Sequence, residues 1–348
     1  MRKLKVGLNG LGRIGRTLFR INQQRQLFDL VLINDVQQDA ANLAYLLKYD
    51  SIHGPLPDRI GFASRRLTVG ERTIALSHCA DVTAAPWLEH GVEVLIDASG
   101  DTGNPARLAG WQAFPGWTVT THAVSHPGVS TVVFGVNEHA FDPRRQRRLA
   151  ASICDAVALS PVAALLQRHF GIARGYLLTL HPWLGQQRLQ DGTAPTAGMD
   201  ALQSHFALGR SAVGNLIPKT TSALQAADAV LPGLSQKLQA MSYRVPTHIV
   251  CSAVLDVELE RPTAAHELDG LLRRAEQEQT LPILHTGSEP LVSNDYRGSR
   301  YSAIVDQRWT AVQHGRHARL MYWYDNEWGY SSRVADLVER IARDATDG

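Results

Sequence analysis

The 348-residue chain is short of several things, and each shortage removes a class of protein. It has three cysteines, Cys79, Cys154 and Cys251, an odd number without metal-ligand spacing. Neither a disulfide framework nor a metal centre is expected, and a reducing cytoplasm fits. No run of 18 apolar residues occurs, which speaks against a membrane-spanning helix. Met1 and two basic residues lead straight into a glycine-rich motif, so no leader segment is expected. Charge of one sign is also scarce. With 35 Lys+Arg against 33 Asp+Glu the net charge is +2, too weak a field to draw in nucleic acid or an anionic membrane. The one basic run, Arg144, Arg145, Arg147 and Arg148, reads as a solvated loop or a phosphate patch. Internal repeats and low-complexity linkers are missing. What remains is a chain with 44% apolar residues, long enough for two domains at roughly 150 residues each.

The first motif is Gly10-Leu11-Gly12-Arg13-Ile14-Gly15, between an apolar run Leu4 to Leu8 and a stretch carrying Leu18, Phe19 and Ile21. This is strand, tight turn, helix. A second strand, Leu30 to Ile33, stops at Asn34-Asp35, and the acid lies 20 residues after Gly15. That is the spacing at which a carboxylate meets an adenosine ribose. Gly10 permits the turn, Gly12 lets backbone approach a pyrophosphate, and Gly15 lets helix pack on strand. The pyrophosphate then sits on the unpaired N–H groups that open the helix. A carboxylate at Asp35 would repel a 2′-phosphate, so NAD is expected rather than NADP. Gly91 to Ala98 and Thr131 to Val136 read as further strands. Their ends, Ser99-Gly100 and Asn137, are candidates to lie near the cofactor or to be plain turns.

The second half changes character. Strands are expected at Gly175 to His181, within Thr247 to Glu260, at Tyr301 to Val305 and at Arg319 to Tyr324, with Thr263 capping a helix that carries Leu268, Leu271, Leu272 and Ala275. Long strands with few helices predict a mostly antiparallel sheet, hence an α/β domain followed by an α+β domain. Ser331 to Arg343 places Val334, Leu337, Val338 and Ile341 on one helical face that must dock on something. Cys154 precedes an Ala-rich stretch reaching Phe170 and so falls at a helix N-terminus, a position that lowers a thiol pKa. His181 closes a strand 27 residues later. Taken singly, each of the two is more readily structural than catalytic.

Several segments resemble the glyceraldehyde-3-phosphate dehydrogenase family, in order along nearly the whole chain. They are Asn9-Gly10-Leu11-Gly12-Arg13-Ile14-Gly15-Arg16, Lys48-Tyr49-Asp50-Ser51-Ile52-His53-Gly54, Val132-Val133-Phe134-Gly135-Val136-Asn137, Arg244-Val245-Pro246-Thr247 and Trp323-Tyr324-Asp325-Asn326-Glu327-Trp328-Gly329-Tyr330. The resemblance implies an NAD-binding Rossmann domain over 1–153, a catalytic domain over 154–330 and a C-terminal helix, 331–348, returning to the first domain. It implies that Cys154 attacks an aldehyde, that His181 is the base, and that a thioester is released by phosphate. Asn9, Gly10, Gly12, Arg13, Ile14, Gly15, Asp35, Ser99, Gly100, Asn326 and Tyr330 would hold NAD, while Arg244 and Thr221 would hold the substrate phosphate. A cytoplasmic homotetramer acting on a small phosphorylated sugar is also implied.

The surroundings of the nucleophile depart from the family. Ser152-Ile153-Cys154-Asp155-Ala156 replaces the usual Ala-Ser-Cys-Thr-Thr, so the hydroxyls flanking the cysteine become a hydrocarbon and the anion Asp155, now at a substrate-binding position. Beyond His181, Leu184 removes another hydroxyl, and the loop to Pro218 is long. Two like charges ~6 Å apart repel by roughly 3 kcal/mol at an effective dielectric of about 20. A helix end returns only about 0.3–1 kcal/mol. An ionised Asp155 facing the thiol therefore opposes the thiolate unless His181, as imidazolium, pairs with the sulfur, and a side chain turned to cap backbone N–H groups would do less harm. Its charge also disfavours phosphate as acyl acceptor, which suggests hydrolysis to an acid, as in the similar erythrose-4-phosphate dehydrogenase. An NAD-binding relative with little catalysis is the competing expectation.

Overall fold

The computed structural model describes residues 2–63, 65–194 and 205–346, and the chain divides into two compact units, Met1–Ile153 with Tyr330–Gly348, and Cys154–Gly329. Part of the long loop before Pro218, residues 195–204, lies outside the described residues. Among those described, no helix is long and apolar enough to cross a membrane.

Unit 1 runs β1 (Lys5–Asn9), α1 (Arg13–Arg25), β2 (Asp29–Asn34), α2 (Ala40–Lys48), β3 (Ile60–Ala63), β4 (Arg66–Val69), β5 (Arg72–Ser77), β6 (Val94–Asp97), α3 (Asn104–Gly110), β7 (Trp117–Thr120), β8 (Ser130–Thr131) and β9 (Arg148–Ala150). The sheet order is β3-β4-β5-β2-β1-β6-β7-β9-β8. All pairings are parallel except those of the β3–β4–β5 meander. Buried on both faces, the central strands read as unbroken apolar runs such as Val94-Leu95-Ile96. One side of the core gathers Leu32, Val82, Trp87, Leu95, Leu108 and Phe114. The C-terminal helix, Trp328–Thr346, buries Val334, Leu337, Val338 and Ile341. Its Asp336 and Glu339 accept from Arg25 at the end of α1, at 2.7 and 3.1 Å.

Two local expectations fail here. Thr131 to Val136 is a strand only at its first residue. Gly135 takes φ 84, and the Asn137 side chain accepts from Val133 N at 2.8 Å and donates to Thr131 O at 2.8 Å, folding the segment into a turn. Asn137 is thus spent on turn chemistry. The predicted strand at Gly91 starts only at Val94, because Gly91 (φ 63) and its neighbours make the preceding turn. The arginine run is mostly internal business: Arg148 donates to the carbonyls of Trp111, Phe114 and Gly116, and Arg147 lies 4.5 Å over the Trp117 ring.

Unit 2 contains α4 (Cys154–His169), β10 (Ile172–Pro182), β11 (Ile217–Lys219), α5 (Ala223–Asp228), α6 (Leu234–Lys237), β12 (Leu238–Val245), β13 (Cys251–Leu259), α7 (Ala265–Glu278), β14 (Leu284–Gly287), β15 (Ala303–Asp306), β16 (Ala311–Gln313) and β17 (His317–Tyr324). Its sheet runs β11-β12-β10-β13-β17-β15-β14, with β16 on β17. Pairings are antiparallel apart from β10–β12 and β14–β15, so the sheet is mixed but mainly antiparallel. Thr263 is not the cap of α7. Glu267 folds back to accept from Ala264 N and from the Thr263 hydroxyl, both at 3.0 Å, and this satisfies the helix start instead.

Candidate active site

Alternation along strands decides which side chains meet. Residues two apart share a face, and register then links strands. His181 pairs with Arg244 across β10–β12, Lys219 with Ser242 across β11–β12, and Cys251 with Tyr324 across β13–β17. Thr179 and Ser242, the inward neighbours of His181 and Arg244, are buried and bond each other at 2.8 Å. Cys154 opens α4 directly after a turn in which Ser152 takes φ 58, an uncommon conformation for a residue with a Cβ.

These elements assemble one polar cluster. Cys154 Sγ lies 3.7 Å from His181 Nε2 and 3.5 Å from Asp155 Oδ1. His181 Nδ1 is 2.8 Å from the Pro182 carbonyl, which can only accept. Nδ1 therefore carries the proton, and the Nε2 lone pair faces sulfur. The same carbonyl accepts from Arg244 at 3.2 Å, so one backbone oxygen orients both side chains. Asp155 does not turn away to cap backbone. Its Oδ1 accepts from the Tyr324 hydroxyl at 2.8 Å and its Oδ2 from the Thr221 hydroxyl at 3.3 Å. Thr221 also accepts from Ala223 N at 3.2 Å. Asp155, His181 and Arg244 are all buried.

Burial and this charge pattern set the protonation. Burial, the Asp155 charge and acceptance by Asp155 push the Cys154 thiol well above its ordinary 9.0. The expected activation by the helix end is outweighed, since a dipole of about 0.3–1 kcal/mol cannot balance a buried neighbouring carboxylate. Burial, then the Arg244 guanidinium, take His181 from 6.5 to about 4, against the pull of Asp155. Burial opposes the Asp155 charge, yet His181, the Tyr324 hydroxyl and Lys219 outweigh it and keep the carboxyl below its ordinary range. Burial and Arg244 bring Lys219 from 10.5 to about 8, against Asp155 and Cys154. Near neutrality the cluster holds a thiol, a neutral imidazole, a carboxylate and a guanidinium. Tyr324 and Lys219 were not singled out from sequence. Inward alternation of Tyr322 and Tyr324 on β17 could have flagged the first, whereas nothing local marks Lys219.

The cofactor candidates in unit 1 sit at the carboxyl ends of β1, β2 and β6. Gly10 has φ 91, and a Cβ there would come 2.4 Å from Ser99 Cα. A Cβ on Gly15 would come 2.1 Å from Gly10 O, so turn and helix touch only because residue 15 is a glycine. Nothing lies within 4 Å of where a Gly12 Cβ would be. The N-terminus of α1 has no side-chain cap and no acidic residue in its first turn, leaving its N–H groups suited to a phosphate. Asp35 follows β2 and is held by Leu11 N at 2.6 Å and Gln37 N at 2.8 Å, which fixes its carboxylate beside the turn. These residues fit a dinucleotide. Asn9 is buried in a network, donating to Asp97 and accepting from Asn34, both at 2.7 Å. The Ser99 hydroxyl donates to Asp97 at 2.7 Å, next to exposed Gly100. Arg13, beside Ile14 at the start of α1, is ion-paired to Asp50. Tyr330 is buried and donates to Ser152 O at 3.0 Å. In unit 2, Asn326 Oδ1 accepts from Val250 N at 3.2 Å.

Residues 4–104 match the family model for the NAD-binding domain of glyceraldehyde 3-phosphate dehydrogenase, and residues 153–326 match that for its C-terminal domain. A glyceraldehyde-3-phosphate dehydrogenase of Geobacillus stearothermophilus is 35% identical over 339 residues, covering 97% of this chain and 98% of the relative. Glyceraldehyde-3-phosphate dehydrogenase 1 of Bacillus subtilis is 35% identical over 98% of both chains. The cytosolic enzyme of that name from Ginkgo biloba is 33% identical, again over 98% of both.

Proposed function

The chain belongs to the glyceraldehyde-3-phosphate dehydrogenase family and is an NAD-dependent oxidoreductase, and on that premise we propose that it oxidises a small phosphorylated sugar aldehyde through a thioester on Cys154. The observation that carries this reading is Cys154 Sγ at 3.7 Å from an imidazole nitrogen whose lone pair faces it. Because thiol and imidazole are both neutral at rest, His181 takes the thiol proton as sulfur attacks the carbonyl, rather than from a preformed ion pair. It returns that proton to the new alkoxide, giving a thiohemiacetal. NAD, when bound, supplies the hydride acceptor. His181 accepts the hydroxyl proton as the hydride leaves, and the carbonyl re-forms as a thioester. Arg244 and Lys219 supply positive charge for the substrate phosphate, with the planar guanidinium suited to two phosphate oxygens.

A specific observation favours water over phosphate as acyl acceptor. Asp155 presents a buried carboxylate 3.5 Å from the sulfur, where the family pattern has a hydroxyl. An incoming phosphate dianion would face that charge in a poorly screened site. Water attacking the thioester releases the acid and restores the thiol. Assembly as a cytoplasmic homotetramer accords with the family, and the outer face of the second sheet exposes Tyr176, Leu180 and Met241. NADH formation with a panel of phosphorylated and unphosphorylated aldehydes tests the reading. Turnover best with a phosphorylated aldehyde and absent in Cys154→Ser supports it. No NADH from any aldehyde by a protein that binds NAD would leave only the non-catalytic relative.

A further inference from the structure

The catalytic cluster contains one donor atom more than the proposed reaction uses. Three side chains of different chemistry, Cys154, Asp155 and His181, bring a sulfur, a carboxylate oxygen and an imidazole nitrogen within 4.8 Å of one another. In a tetrahedral zinc site, sulfur at about 2.3 Å and nitrogen or oxygen at about 2.0–2.2 Å from the ion stand about 3.6 Å apart. Here sulfur stands 3.7 Å from His181 Nε2 and 3.5 Å from Asp155 Oδ1. Hydrogen bonds from behind already hold two of the three ligands. His181 Nδ1 meets the Pro182 carbonyl at 2.8 Å, which points Nε2 inward, and Tyr324 and Thr221 hold the Asp155 carboxylate. Such outer partners are what orient ligands at protein metal centres.

We propose that Cys154, Asp155 and His181 form a three-ligand site for a zinc-type divalent ion, and that its occupation switches the enzyme off. The thiol sheds its proton to solvent as the sulfur–metal bond forms, and no electron is transferred. The fourth position stays open for water, and Cys154 is not fully buried, so an ion can enter. Arg244 stands next to the cluster on the shared Pro182 carbonyl, adding a positive charge that disfavours hard cations held by charge alone. The thiolate and imidazole ligands select softer ions such as zinc and cobalt over magnesium and calcium. An ion there occupies both the nucleophile and the base. The metal site stands on geometry alone, and only its inhibitory consequence rests on the proposed oxidation.

The test titrates chelator-treated full-length protein with cobalt(II) and reads its absorption without substrate. One equivalent should produce a thiolate-to-cobalt charge-transfer band with the visible bands of a tetrahedral ion, zinc should abolish both, and magnesium should not. Cys154→Ser should lose the charge-transfer band. Asp155→Thr should weaken cobalt binding at least about tenfold, the loss seen even for outer-shell partners. A thermal-unfolding transition and an NAD affinity like those of the parent show that both variants are folded. No charge-transfer band in excess cobalt, or Asp155→Thr binding cobalt as tightly as the parent, overturns the site. In the activity arm, one equivalent of zinc should stop NADH formation and a chelator should restore it. Cobalt bands in a protein that oxidises no aldehyde overturn the dehydrogenase reading alone, whereas NADH formation without cobalt bands overturns only the metal site.

Discussion

The surface that unit 1 offers a ligand is mostly backbone, whereas that of unit 2 is entirely side chain. Around Gly10, Gly12 and Gly15 the site is made of N–H groups and close approaches, with Asp35 and the Asp50-paired Arg13 adding charge. Around Cys154 it is made of groups carried on α4, β10, β12 and β17, with Lys219 on β11 and Thr221 just after it. A backbone site leaves little room for drift, because a Cβ at Gly10 or Gly15 collides with main chain. A side-chain site can change its chemistry while every strand stays in register. Asp155 and Leu184 are such changes against the family pattern, one adding a charge and the other removing a hydroxyl, while Cys154, His181 and Arg244 stay together on their helix and strands.

Substitutions can break this contrast, and the largest effect belongs to the nucleophile. Cys154→Ser should reduce NADH formation by roughly 10⁴-fold or more, as loss of a nucleophile does elsewhere, with NAD affinity unchanged by calorimetry. Asp155→Thr comes next. Removing the anion lowers the thiol pKa, so in metal-free protein the iodoacetamide rate at neutral pH should rise about tenfold to 100-fold. The parent rate should keep climbing past pH 9, because its thiol titrates well above that value. Gly10→Ala should destabilise unit 1 by about 1–3 kcal/mol through the left-handed backbone and weaken NAD binding with it, seen in thermal unfolding and calorimetry. Asp50 sharpens the unit 1 side. Burial opposes its charge, but Arg13 and the N–H groups of His53 and Ile52 hold its carboxyl down from 3.8 to about 2. Its contribution to stability is therefore complete above 3.8 and lost as the pH falls toward 2. Asp50→Asn should flatten that part of the acid-unfolding profile. The smallest effect is expected for Asp35→Asn, which should cost NAD about tenfold in affinity and narrow its advantage over NADP.

Legibility followed the range of the contacts. The β1–turn–α1–β2–Asp35 unit could be read from sequence because its parts lie within one short stretch and its glycines have local reasons. The helix beginning at Cys154 and the strand ending at His181 were equally plain. Thr131 to Val136 misled because apolar composition says strand, while Gly135 and the Asn137 side chain close a turn. The direction of the Asp155 side chain was undecidable locally. Its partners, Thr221 and Tyr324, lie 66 and 169 residues away, and only the assembled domain brings them in. The same distance hid the thiol's rise in pKa. A helix N-terminus is visible in sequence, but the burial and the carboxylate that overrule it belong to the assembled core.

The central claim is that the altered charge beside Cys154 changes the fate of the acyl group while sparing the nucleophile and base. It is tested most directly by giving the metal-free enzyme NAD and the best phosphorylated aldehyde, with and without inorganic phosphate, and identifying the product. The expected result is NADH at the same rate in both, with the free acid as product. NADH that appears only with phosphate, together with an acyl phosphate, would contradict it.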